Sequence, residues 1–129
     1  MRILLLEDDE PTRAVYRECI ASAGHEVIEC GTIERAITVL RTKRIDLFVI
    51  DLLIGKSNSL GFAQFAGYAA PDAEIILITG TGSFTKGEVL AEYPGISWIL
   101  RKPLPVGDLK AFVDYAGRRR SQRCQIGVT

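Results

Sequence analysis

Three stretches of this chain are apolar without interruption: residues 3–6 in RILLL, 47–50 in IDLFVID and 75–78 in EIILIT. They constrain the fold more than any other feature. A strand with one wet face alternates polar and apolar residues. An unbroken short run instead reads as a strand buried on both faces, as in a parallel sheet covered by helices. Two weaker runs join them. HEVIEC (25–30) is more polar and belongs near a sheet edge, and ISWIL (96–100) is a fifth strand.

Helical patterns fill the gaps. Asp9 can cap a helix whose first turn holds Pro11, and Gly24 stops it after about Ala23. Thr32 can cap the next, in which Ile33, Ala36, Ile37 and Leu40 fall on one face. A helix over 60–69 is predicted despite Gly61 and Gly67, and GTGSFTKGEVLAEY is glycine-rich, then helical for about two turns. The last helix is expected over about 105–118, with Leu109, Phe112, Val113 and Ala116 facing the core. Five strands alternating with five helices predict an α/β doubly wound parallel sheet. Such sheets bind ligands at the carboxyl ends of their strands.

The 129 residues suit one domain, read here as residues 1–118, followed by a short basic tail over 119–129 that is solvated and frayed. Lys plus Arg and Asp plus Glu both number 16, so no basic excess favours nucleic acid, GRRRSQR notwithstanding. Cys19, Cys30 and Cys124 are widely spaced and His25 is the single histidine, which disfavours a zinc site. Reduced thiols, no signal-peptide pattern and no membrane-length apolar run place the chain in the cytoplasm, without a membrane partner.

The carboxyl ends of the strands collect the polar chemistry. The first strand runs into Glu7, Asp8, Asp9 and Glu10; the third ends in Asp51; the fourth ends in Thr79; the fifth runs into Arg101, Lys102 and Pro103. An acid embedded in LFVIDLLI needs a partner, because an unpaired buried carboxylate is costly. Clustered carboxylates repel unless a hard cation lies between them, and Mg²⁺ takes oxygen ligands from one or two carboxylates plus a phosphate. Lys102 can balance remaining charge and Thr79 can donate a hydrogen bond. Together these are the parts of a phosphoryl-transfer site with a carboxylate nucleophile.

In ILLLEDDEP, IDLFVIDLL, IILITG and ILRKPL, in that order, the chain resembles the receiver domain of two-component response regulators from Arg2 to about Arg118. The resemblance implies the flavodoxin-like sheet of order 2-1-3-4-5. It implies Asp51 as phospho-acceptor, Glu7 and Asp8 as the acidic pair around Mg²⁺, and the carbonyl of Leu53 as a backbone ligand. Thr79 matches the switch hydroxyl, Lys102 the site lysine, and Pro103 would follow a cis peptide. Asp9 and Glu10 lie outside the acidic pair and suit the start of a helix.

Two departures stand out. Gly55 stands where the family usually has proline, in the loop expected after Asp51, LLIGKSNSLG, whose GKSNSLG is about two residues longer than usual. The family's switch aromatic falls at Ile99, with Trp98 one place earlier. The chemistry therefore reads as intact and the readout as altered, with the glycine-rich segment from Gly80 to Gly87 the softest route for a response.

The expected function is a stand-alone receiver. It takes a phosphoryl group on Asp51 from a histidine kinase or histidine phosphotransfer protein and acts by binding a downstream protein partner. It is not an enzyme beyond its own phosphorylation and dephosphorylation. The alternative is an atypical receiver used as a phosphorylation-independent interaction module. A flavodoxin-like nucleotide or flavin binder ranks last, since acids stand where a phosphate-cradling loop belongs.

Overall fold

The computed structural model describes residues 1–80 and 92–128, with side chains up to residue 121. In chain order its elements are β1 (Arg2–Leu6), α1 (Glu10–Ser22), β2 (Glu26–Cys30), α2 (Ile33–Thr42) and β3 (Leu47–Asp51). There follow β4 (Leu53–Ile54), β5 (Ser57–Asn58), α3 (Leu60–Ala69), β6 (Glu74–Thr79), β7 (Trp98–Arg101) and α4 (Val106–Val128). The helix expected within GTGSFTKGEVLAEY and the soft segment after Gly80 lie outside the described residues.

The main sheet is parallel throughout, in the order β2-β1-β3-β6-β7. With the small β4–β5 hairpin set aside, this is the 2-1-3-4-5 order of a flavodoxin-like doubly wound fold. The unbroken apolar runs became the central strands: every residue of β3 and β6 is buried. The more polar β2 lies at an edge, where one flank needs no apolar partner.

Strand pleating deals the apolar residues to two cores. Leu4, Leu6, Phe48, Ile50, Ile75, Leu77 and Ile99 face α2 and α3, where Ala36, Val39, Ala63 and Ala66 meet them. Ile3, Leu5, Leu47, Val49, Ile76 and Ile78 face α1 and α4, against Ile20, Leu109, Val113 and Ala116. Phe48 is fully buried and meets Phe62 edge-on at 6.2 Å. Its truncation to alanine would cost about 3–5 kcal/mol in transfer and cavity terms.

The helix starts follow local chemistry. Asp9 caps α1 by accepting the Thr12 amide at 3.1 Å, with Pro11 in the first turn, and Thr32 caps α2 through the Arg35 amide at 3.1 Å. Gly24, at φ +92, takes the chain out of α1 in the left-handed region.

Two local expectations need correction. The stretch after Asp51 is not an open loop, since residues 53–58 pair as an antiparallel hairpin, with Ile54 opposite Ser57. The last helix does not stop near Arg118. α4 continues to Val128, and two of the arginines read as a frayed tail, Arg119 and Arg120, are anchored where it passes the amino end of the sheet. Arg120 Nη2 meets Asp46 Oδ1 at 2.8 Å and its Nη1 donates to the Asp72 carbonyl at 3.1 Å. Arg119 Nε lies 3.7 Å from Glu74 Oε1, with its guanidinium 5.5 Å from the Trp98 ring. A basic run reads as solvated only while its partners, far away in sequence, are unknown.

Candidate functional site

The parallel sheet directs every strand's carboxyl end to one edge, which gathers residues from distant parts of the chain. Glu7 and Asp8 follow β1 directly, Asp51 is the last residue of β3, Thr79 the last of β6, and Lys102 follows β7. Glu7 and Asp51 are almost wholly buried, at 1% and 5% exposure, whereas Asp8 is exposed.

Both oxygens of Asp51 are held. Oδ2 accepts from Lys102 Nζ at 2.7 Å, and Oδ1 accepts from the Leu53 amide at 3.2 Å. Its backbone is held too: the buried Ser59 hydroxyl donates to the Asp51 carbonyl at 2.6 Å. Lys102 is positioned by its own amide, which donates to the Thr79 carbonyl at 2.7 Å, and it precedes a cis peptide to Pro103. Burial alone would lower the Lys102 pKa, but the hydrogen bond and charge of Asp51, with Glu7 behind it, raise it on balance.

Glu7 is treated differently. Its carbonyl accepts from Arg13 Nη1 at 2.9 Å, which ties down the backbone. Its carboxylate oxygens are buried and accept no hydrogen bond from the described residues; Lys102 Nζ comes no closer than 3.7 Å. Burial pushes the Glu7 pKa up to about 8. A hydrogen bond toward Asp51 and the Asp51 charge add to this, and Lys102 opposes it.

Carboxylate oxygens of Glu7, Asp8 and Asp51 lie within 4.8 Å of one another. An all-oxygen donor set containing a buried, unpartnered carboxylate is what a hard divalent cation requires, so these residues fit Mg²⁺. Asp8 is half-committed within the protein: its Oδ2 accepts the Gly55 amide at 2.7 Å.

Glu7, Asp8, Asp51 and Lys102 therefore converge. Thr79 is one strand away, its residue buried and its carbonyl bound to Lys102. The Leu53 amide, as distinct from the carbonyl singled out in the sequence, makes the contact with Asp51. Ile99 is buried in the core facing α2 and α3. Trp98 lies on the other face, 6.3 Å from Phe112 and 5.7 Å from Tyr115, so it cannot substitute for an aromatic at position 99.

Sequence reading missed Ser59, Arg13 and Tyr16, and marked Gly55 only as a departure from the family's proline, not as a contact of the site. Tyr16 sits within reach of the charges of Lys102, Glu7 and Asp51, its pKa raised by burial. Only Gly55 carried a usable signal, as the first residue of a Gly-Lys pair between two short extended stretches. No described helix is long and apolar enough to cross a membrane.

Comparison with known proteins agrees with this geometry. The response regulator receiver domain model matches residues 3–114. The KDP operon transcriptional regulatory protein KdpE of Escherichia coli is 25% identical over 119 residues, 92% of this chain and 52% of KdpE. The regulatory protein LuxO of Vibrio vulnificus is 28% identical over 118 residues, 92% of this chain and 26% of LuxO. The chain thus spans about half the length of KdpE and about a quarter of LuxO. Among solved structures, a CheY-like receiver domain protein from Methanospirillum hungatei superposes with a TM-score of 0.86 at 18% identity, covering 95% of this chain and 97% of that one. A receiver domain protein from Clostridium thermocellum gives 0.81 at 21%, covering 94% and 97%. Matched over most of its length, with the fold and the strand-end acids in place, the chain belongs to the response regulator receiver domain family.

Proposed function

We propose that this chain accepts a phosphoryl group on Asp51 from a histidine kinase or a histidine phosphotransfer protein, in an Mg²⁺-dependent reaction, and signals by binding a protein partner. One observation carries the reading: the buried Asp51 carboxylate lies 2.7 Å from Lys102 and shares its pocket with two further acids.

Asp51 is the nucleophile. One of its carboxylate oxygens bonds to phosphorus as the bond from phosphorus to the donor's leaving group breaks. Lys102 holds the carboxylate in place and offsets the charge that accumulates on the phosphoryl oxygens. Thr79, at the end of the neighbouring strand, is the hydroxyl that would hydrogen-bond one of them. Glu7, Asp8, Asp51 and the Leu53 carbonyl would hold Mg²⁺, which when bound neutralises the equatorial oxygens during transfer. The chain is then a phospho-acceptor that modifies itself, not a catalyst turning over a second substrate. A cytoplasmic setting fits the free buried thiols of Cys19 and Cys30, the latter pushed up to about 11 by burial.

Intact-mass measurement after incubation with acetyl phosphate tests this. One phosphoryl group should appear, require Mg²⁺, be released by hydroxylamine and be absent from Asp51→Asn. Undiminished labelling of that variant would refute the assignment.

Ile99 supports a second reading, in which the receiver is a phosphorylation-independent interaction module. A buried branched aliphatic cannot swing a ring toward Thr79, and Trp98 lies on the opposite face. Hydrogen exchange with and without beryllofluoride separates the two: protection changes support phosphorylation-dependent signalling, and an unchanged profile supports the module.

A further inference from the structure

We propose that Gly55 is a positioning residue for the metal site, acting through Asp8; the inference rests on the Mg²⁺-dependent reading above. The β4–β5 hairpin turns on two residues, Gly55 and Lys56, between the paired Ile54 and Ser57. Gly55 sits at φ +62, and no non-glycine residue among those described has positive φ. A glycine with positive φ at the first of two turn positions is the requirement of a type II′ hairpin turn, whose twist matches the strands it joins. Packing does not explain the glycine, since a Cβ there would meet nothing within 4 Å.

What the turn achieves is direction. It aims the Gly55 amide back across the strand ends at Asp8 Oδ2, 2.7 Å away and 47 residues distant in sequence. Asp8 is exposed, and its Oδ1 has no hydrogen bond from the described residues, so this amide is the contact that orients the carboxylate. With Oδ2 held, the Asp8 carboxylate is fixed beside Glu7 and Asp51, whose carboxylate oxygens share the cluster with it. Partners of this kind, behind a metal ligand, commonly change metal affinity 10–100-fold. Proline at position 55 cannot reproduce the contact, having no N–H and a φ fixed near −65°. The longer, glycine-turned loop of this chain thus supplies a donor that a proline at that position cannot.

The test is Mg²⁺ titration by calorimetry on the full chain, paired with the rate of labelling by acetyl phosphate across Mg²⁺ concentrations. Gly55→Pro should weaken Mg²⁺ binding about tenfold. It should shift the Mg²⁺ needed for half-maximal labelling by the same factor and leave the rate at saturating Mg²⁺ unchanged. D-alanine introduced at position 55 by ligation keeps both the amide and the positive φ and should bind as the native chain does. Native Mg²⁺ affinity in Gly55→Pro, a lower saturating rate without a shift in affinity, or a D-alanine protein as weak as the proline variant would each overturn the inference. If the native chain bound no Mg²⁺, both this inference and the metal-dependent reading would fail. Should Gly55→Pro not fold, Asp8→Ala decides: the Gly55 amide should exchange faster with solvent, and an unchanged rate overturns the proposal.

Discussion

The two ends of the sheet handle charge in opposite ways. At the amino end, three carboxylates meet three guanidinium groups: Glu26 with Arg2, Asp46 with Arg120 and Glu74 with Arg119. Asp46 also accepts the Arg2 amide at 2.8 Å, and Glu74 accepts from the Ser97 hydroxyl, which itself accepts the Ile75 amide at 3.2 Å. At the carboxyl end, Glu7 and Asp51 share the ammonium of Lys102, Asp8 has no ion pair among the described residues, and Glu7 accepts no hydrogen bond from them. Both ends must close the same sheet, so the imbalance is not a demand of the fold. The amino end is a staple. The carboxyl end has more acids than cations to pair them, an imbalance that a divalent cation would offset.

The largest effect should come from supplying the missing charge. Mg²⁺ at a hundred times its dissociation constant should stabilise the folded chain by about 2.7 kcal/mol, read as a rise in melting temperature. Asp8→Asn should lose most of that response. A rise unaffected by Asp8→Asn would place the metal elsewhere and break the comparison.

Next in size are single changes at the amino end. Asp46→Ala removes the partner of both Arg120 and the Arg2 amide, and should cost about 1–3 kcal/mol, read by urea unfolding. Asp8→Asn in metal-free protein should cost nothing or stabilise slightly, because it relieves repulsion. Equal losses in the two variants would show that the two ends do not differ in the way described.

The pH dependence sharpens the contrast further. The Glu7 pKa stands near 8 in the folded chain against an ordinary 4.5. Between those values the folded form binds a proton that the unfolded form has released, so metal-free stability should fall as pH rises through that window. Glu7→Gln, whose amide can still donate toward Asp51, should match the native chain near pH 5 and exceed it increasingly toward pH 8. Parallel pH curves for the two proteins would refute this origin of the slope.

The smallest effect belongs to His25, at the amino end, whose Nδ1 lies 3.1 Å from the Met1 nitrogen. Burial, and then the terminal amine, hold its pKa below 6.5, with Asp114 opposing. Below pH 6.5 the unfolded chain binds the extra proton, so stability should fall as pH drops, and His25→Asn should flatten this acid limb. A limb that persists in the variant would assign it to other groups.

Much of this molecule could be read from short windows of sequence. Burial on both faces leaves an unbroken apolar run, so β1, β3 and β6 were visible, and Asp51 stood out as an acid ending such a run. Asp9 and Thr32 were legible as caps because capping is completed within three residues. Trp98 and Ile99 had to face opposite ways, since strand neighbours always do. Tertiary structure decided the rest, for one physical reason: the partners lie far apart in sequence, and only the strand order brings them together. Arg119 and Arg120 look like a solvated run until α4 carries them past Glu74 and Asp46. Gly55 looks like a loop glycine until a hairpin turn aims its amide at Asp8. Glu7 looks like one acid among four until burial without a donor sets it apart. Sequence alone determined which residues would stand at the strand ends; the packed sheet decided which of their charges are paired and which are left for a ligand.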